Sequence, residues 1–368
     1  MTRFAQLIGL AALVASAALG ALFAFDVALD AEYVRWADEA PPEDEAGQAL
    51  ANAFAQTLPF MAGGKQAEAV ADQTFGDACF YPRTTRCLNL IHEHPQRLPA
   101  NPQYWARYEA LMLHPASEAE LADILIWKIV FAANYYPLYR LSTDATDVQQ
   151  MFDQLESLRA RLAQPGTIET RILYAIWYDM ALAWLIDATA PELPGAAELL
   201  SSDAMRAALR PLDDAARSLR VSAPSEARYG MSLARSWRDR MTIAYQFNTT
   251  PNRALNAGAA SLKALIAQSE LSDAHFWETV PEHSIPFWRR QVHTTSILRR
   301  LDLTLAVNRM ALQTQRGLAV RTAAVSGWRF ETVNGQVCAT PTSIHEVYAA
   351  TTADPICSRI GRSWPAEA

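Results

Sequence analysis

Residues Phe4 to Phe25 form an unbroken run without a charge, opening after Met1-Thr2-Arg3 and closing at Asp26. No other feature restricts the chain as much, because a helix of about 20 apolar residues crosses about 30 Å of hydrocarbon. A cleavable signal peptide has a shorter apolar core, about 7–15 residues, and then a small-residue cleavage site. Ala15-Ser16-Ala17 and Ala18-Leu19-Gly20 have that character, but both lie inside the run. A cut there leaves an apolar stub, Ala21-Leu22-Phe23-Ala24-Phe25. Residues 1–25 are therefore read as an uncleaved transmembrane anchor. A cleaved signal peptide, or a buried helix of a cytosolic domain, are the alternatives. Arg3 precedes the run, and Asp26, Asp30, Glu32, Asp38 and Glu39 follow it. Positive charge stays on the cytoplasmic side, so the rest of the chain is expected outside the cytoplasm.

The chain beyond the run is long enough for one large or two medium domains. Apolar residues make up 51% and charged residues 19% of the sequence, which suits a globular protein with a substantial core. A net charge of −7 gives no reason to expect nucleic acid as a partner. The four cysteines, Cys79, Cys87, Cys338 and Cys357, form two close pairs. An even count in an exported chain reads as disulfides, with three connectivities open. Cys79–Cys87 and Cys338–Cys357 are favoured, because short loops close at lower entropic cost. A metal site from Cys79, Cys87, His92 and His94 is the rival reading, and its spacing fits no common zinc pattern. No metal and no cofactor is expected.

Residues 26–48 are acidic and contain Pro41-Pro42-Glu43-Asp44-Glu45, which reads as a helical extension from the membrane followed by a solvated linker. Residues 49–368 read as the folded domain, opening with a short helix within residues 47–60. From Asn101 the pattern is helical: Tyr104, Tyr108, Leu111 and Met112 share one apolar face after Pro102. Further helices are expected at residues 118–136, 146–163, 168–188, 202–220, 225–246, 252–270, 273–279 and 286–316. The second and fourth of the helices after Asn101 are apolar nearly all round, the mark of a central position in a bundle. Asn334-Gly335 between β-prone runs is a hairpin signal inside a C-terminal segment 326–368. The expected fold is mainly α: an irregular multi-helix bundle with a small C-terminal β-hairpin, after one N-terminal transmembrane helix.

Candidate chemistry is sparse. Lys128 and Asp179 each sit within a very apolar helix, and such charges must be paired, shifted in pKa or exposed. One reading makes Asp179 a general acid or base in an aromatic cleft with Tyr174 and Tyr178. The other makes Lys128 and Asp179 a structural pair, or lets both reach water. His92-Glu93-His94-Pro95 lacks the i, i+4 spacing of helical zinc sites and reads as loop surface. Arg289, His293 and Arg300 can share a face of the last long helix as an anion or lipid-headgroup surface. The alternative there is a solvated face, with Asp302 three residues from Arg299. There is no G-x-S-x-G, P-loop, G-x-G-x-x-G, H-E-x-x-H or C-x-x-C.

Three stretches combine into a resemblance. They are Cys79…Cys87 leading into Tyr104-Trp105-Ala106-Arg107-Tyr108-Glu109-Ala110-Leu111, then Pro251-Asn252-Arg253-Ala254-Leu255-Asn256, then Arg299-Arg300-Leu301-Asp302-Leu303. Together the chain resembles a group of uncharacterised helical, membrane-anchored proteins of proteobacteria. The resemblance implies a single-pass inner-membrane anchor with a helical periplasmic body, and no activity. The functional expectation is a non-enzymatic scaffold, adaptor or binding module of the envelope. Its partners would be the inner membrane, through Phe4–Phe25, and an envelope protein. The alternative is a hydrolase or transferase of envelope material, with Asp179, Lys128 and Tyr178 as its candidate catalytic residues.

Overall fold

The computed structural model describes residues 26–42, 45–56, 102–113, 149–187, 196–233, 250–279, 289–317, 328–342 and 355–360, with positions 14, 90, 93 and 94. Apart from Val14, the Phe4–Phe25 run lies outside them, as do Lys128, Glu118–Tyr136 and the Cys79–Cys87 pair. Among the described residues, no helix is long and apolar enough to cross a membrane.

The bundle is built around α5 (Ile168–Asp187), which packs against α4 (Gln149–Leu162) on one side and α12 (Arg289–Gln315) on another. The nearly continuous apolar sequence of α5 has this cause: Tyr174, Trp177, Tyr178, Leu182 and Leu185 are all buried between neighbours. α3 (Pro102–Leu113) lies on α4 and carries α2 (Glu45–Gln56) on its other side. Tyr104, Trp105, Tyr108 and Leu111 of α3 are buried. The Tyr108 ring meets Trp177 edge-on at 5.6 Å between centroids, and Phe54 closes the cluster at 5.1 Å from Tyr104.

The expected helix over residues 202–220 is instead broken into short pieces. α6 (Ala196–Ser201) and α7 (Asp203–Ala208) run up to a turn at Leu209-Arg210-Pro211. α8 (Asp214–Arg217) and a 3-10 turn, Leu219–Ser222, follow it. Pro211 cannot donate a helical hydrogen bond and disfavours helix in the residue before it. Ser202 caps α7 before the turn and Asp213 caps α8 after it, accepting from Met205 N–H and Ala216 N–H at 3.0 and 2.7 Å. α9 (Ala223–Leu233) and α10 (Pro251–Ser269) complete this side, followed by the short α11 (Asp273–Phe276).

Residues 26–42 are not a solvated linker, and no helix runs directly on from the apolar segment. Residues 26–30 are neither helix nor strand, and Asp30 caps α1 (Ala31–Glu39) by accepting from Glu32 and Tyr33 N–H, both at 3.0 Å. α1 packs on α9, and Tyr33 and Trp36 are buried there. The acidic composition that reads as solvation supplies hydrogen-bond acceptors for the body instead. Asp26 Oδ2 accepts from Asn252 N–H at 2.8 Å and Oδ1 from the Thr250 hydroxyl, at the N-terminus of α10. Asn252 and Asn256 return side-chain bonds to the carbonyls of Val27 and Ala28 at 2.8 Å. Lys263 donates to both carboxylate oxygens of Asp30 at 2.9 Å.

The C-terminal hairpin forms where Asn334-Gly335 predicts it, with β1 (Trp328–Val333) antiparallel to β2 (Gln336–Pro341). Asn334 and Gly335 have φ of 50° and 79°, the left-handed pair that such a two-residue turn demands. A third strand, β3 (Ile356–Cys357), adds to β2 and was not expected. Cys338 and Cys357 face each other in that register and form the favoured disulfide. The sheet docks on α12, where buried Asn308 Oδ1 accepts from the N–H groups of Arg359 and Ile360 at 2.8 and 3.3 Å.

Candidate functional site

Buried arginines organise this interior, and their partners are mostly backbone carbonyls. Arg171 bonds the carbonyls of Leu162, Ser218, Ala215 and Ala216 and the Ser222 hydroxyl, at 2.7 to 3.2 Å. Arg159 reaches the carbonyls of Ala208, Arg210 and Pro211 at 3.1, 2.9 and 2.8 Å, and the Tyr178 hydroxyl at 2.9 Å. Arg161 donates to Leu111 O at the end of α3. These carbonyls belong to helix ends and turns, which have no partner within their own helix. A guanidinium with five donors satisfies several at once.

Three more arginines line a half-open cleft between α12 and the turn after α7. Its walls are Pro211, Arg217, Trp277, Arg299, Asp302, Leu303, Ala306 and Arg309, around a volume of about 110 Å³. The α12 contributors fall at helical spacing: Arg299, Asp302, Leu303, Ala306 and Arg309 share one face. Asp302 Oδ1 accepts from Leu212 N–H at 3.0 Å, and its Oδ2 lies 3.6 Å from Arg217 Nε. Arg217 also donates to Asp214 at 2.7 Å. Arg299 is buried, donating to Ser269 O and Leu271 O at 2.8 Å with its guanidinium 5.0 Å from the Phe276 ring centre. Trp277 forms a wall, held edge-on against Phe276 and Trp328. Arg309 donates from Nη1 to Leu209 O at 2.7 Å. Burial pulls its guanidinium below the ordinary range; Asp302 offsets this in part, and Arg159 adds to it.

The residues picked from sequence fall elsewhere. Asp179 is exposed on α5, while its neighbour Tyr178 is fully buried and donates to Ala208 O at 2.5 Å. The two are about 100° apart around the helix, which leaves Asp179 on the exposed face rather than beside the buried Tyr178 ring. Burial pushes the Tyr178 hydroxyl up, against the pull of Arg159. Arg289 and His293 lie in the first turns of α12, where the backbone alone is described, and Arg300 is half-buried beside the cleft-lining Arg299. Glu93 is exposed, and His94 donates its N–H to Leu90 O at 2.9 Å. Among the described residues, no three His, Cys, Asp or Glu side chains gather as for a metal ion. The cleft was missed because the charged residues of this helix read as a headgroup-binding or solvated face. The i, i+3, i+7, i+10 row of Arg299, Asp302, Ala306 and Arg309 was the available signal. No protein family, curated protein or solved structure matches this chain.

Proposed function

We propose that this chain is a membrane-anchored binding and scaffolding module of the cell envelope, with Phe4–Phe25 in the inner membrane and the helical body in the periplasm. The observation that carries the reading is the clamp formed immediately after the apolar run. Asp26 follows Phe25 directly and is bonded to Thr250 and Asn252, and the hydrogen bonds continue through Val27, Ala28 and Asp30. A tether meant only to keep a soluble body near a membrane needs no such contacts. A body that must be presented to a partner in one attitude does. The Cys338–Cys357 disulfide agrees with an oxidising compartment, and Cys79–Cys87 is proposed as its counterpart. The hydrolase or transferase reading needs Asp179 within an aromatic cleft, and the exposure of Asp179 gives it no support.

Photo-crosslinking from intact membranes, followed by pull-down of the full chain, tests this. The expected result is a discrete envelope protein crosslinked to the body, in a chain that resists alkaline extraction from membranes. Release of the chain by alkaline carbonate, or turnover of envelope polymer without any crosslinked partner, would overturn it.

A further inference from the structure

We propose that the cleft between α12 and the Leu209–Leu212 turn binds a phosphate group carried by a soluble ligand. This rests on the binding-module reading and adds the class of ligand.

Charge comes first. Arg217, Arg299 and Arg309 face one carboxylate, Asp302, so the lining carries an excess of two positive charges. A phosphate ester near neutral pH carries about −1.5 to −2 and balances that excess. Size agrees. One water needs about 10–15 Å³ of cavity space, so about 110 Å³ has room for several waters or one phosphate-sized group.

Donors come next. Arg309 spends Nη1 on Leu209 O and makes no other hydrogen bond among the described residues, which leaves Nε and Nη2 for a ligand. Arg217 holds Asp214, whose side chain is 99% exposed, and stands 3.6 Å from Asp302. Exposed pairs of this kind are worth about 0–1 kcal/mol and exchange readily for a better anion. Two planar guanidinium forks suit the oxygens of a phosphate, which accept paired N–H bonds. Arg309 is already held against desolvation with Arg159 nearby, so an incoming anion relieves an electrostatic deficit that the fold leaves standing. Trp277 and Leu303, both buried, belong to the apolar part of the lining.

The source follows from position. Arg299 holds the C-terminal end of α10, and Asp26 holds its N-terminal end. The 19 residues of α10 span about 28 Å. The cleft thus lies a helix length from the end of the apolar run, which favours a dissolved ligand over a lipid headgroup.

The test is calorimetric titration of the detergent-solubilised full chain with inorganic phosphate, against chloride at matched ionic strength. Saturable binding is expected. Arg217→Ala, at a partly exposed position, and Arg309→Lys, which keeps the charge but loses the fork, should each weaken it about tenfold or more. Thermal unfolding of both variants reports whether the fold is intact. No saturable heat, binding indifferent to both substitutions in folded variants, or binding to phosphatidylglycerol vesicles alone would each overturn the proposal. Absent phosphate binding in a chain that still crosslinks its partner sinks this inference alone. Phosphate binding by a chain that crosslinks nothing sinks the scaffold reading alone.

Discussion

Arg171 is a buried cation that hydrogen-bonds backbone carbonyls and a hydroxyl. Burial pushes its guanidinium down to about 10, with Asp213 opposing that, so it stays charged at neutral pH. Its desolvation is offset by charge-assisted bonds to oxygens that would otherwise be orphaned. Removing the side chain therefore costs more than its packing. Arg171→Met should lose about 3–5 kcal/mol, read from the urea midpoint, because the carbonyls of Leu162, Ala216 and Ser218 stay buried without a donor. Arg171→Lys should recover only part, since an ammonium cannot address both turns. None of this shows in the sequence. An arginine one turn into an apolar helix reads as a snorkelling surface residue, and its target carbonyls carry no side-chain signature.

α1 shows the same limit at the scale of an element. Acidic residues and a Pro-Pro pair suggest a linker. What decides otherwise is the match between Asp26 and Asp30 and residues more than 220 positions away. No local pattern encodes such a pairing. The break at Pro211 was legible in principle, because proline punctuates helices, but the helix-like residues on either side masked it. α5 and the hairpin were readable because their signals are local: one apolar period and one Asn-Gly turn. The clamp yields two predictions. Asp30→Asn keeps a capping oxygen and loses the charge facing Lys263, whereas Asp30→Ala loses both. Asp30→Ala should therefore be less stable by about a further 1 kcal/mol in chemical denaturation. The Lys263 hydrogen bond holds the Asp30 carboxyl below its usual 3.8. A depressed carboxylate stabilises the fold above its unfolded pKa, and that contribution disappears as pH falls through the lower folded value. Hydrogen exchange should show residues 31–39 losing protection in acid below about pH 3.8, and Asp30→Asn should remove that step. Gly230 gives an independent handle. A Cβ there would overlap the Tyr33 hydroxyl, so Gly230→Ala should lift α1 and raise its exchange while the α4–α5 core keeps its protection.

At the scale of the whole molecule, α12 is the shared wall. It packs on α5 and α10, carries the cleft, and seats the sheet through Asn308. The Cys338–Cys357 bridge, closing a separation of 19 residues, ties β3 to that seat. A loop of this length is worth about 3 kcal/mol on chain-entropy grounds. Cys338→Ser with Cys357→Ser should lower the thermal midpoint and loosen residues 355–360 on α12, with the α3–α5 aromatic cluster unaffected by near-UV circular dichroism. A cluster signal that collapses with the bridge would mean that the sheet and the bundle are one cooperative unit.

Arg159 and Arg171 grip the peptide oxygens of residues 162, 208, 210, 211, 215, 216 and 218. A peptide oxygen survives any substitution of the residue that bears it. The exposed bearers, Arg210 and Ala215, are thus free to change their side chains over generations, while the two arginines that hold them are not. A saturation-mutagenesis map of this protein would then be permissive at those two exposed positions and intolerant at two cations hidden inside its helices.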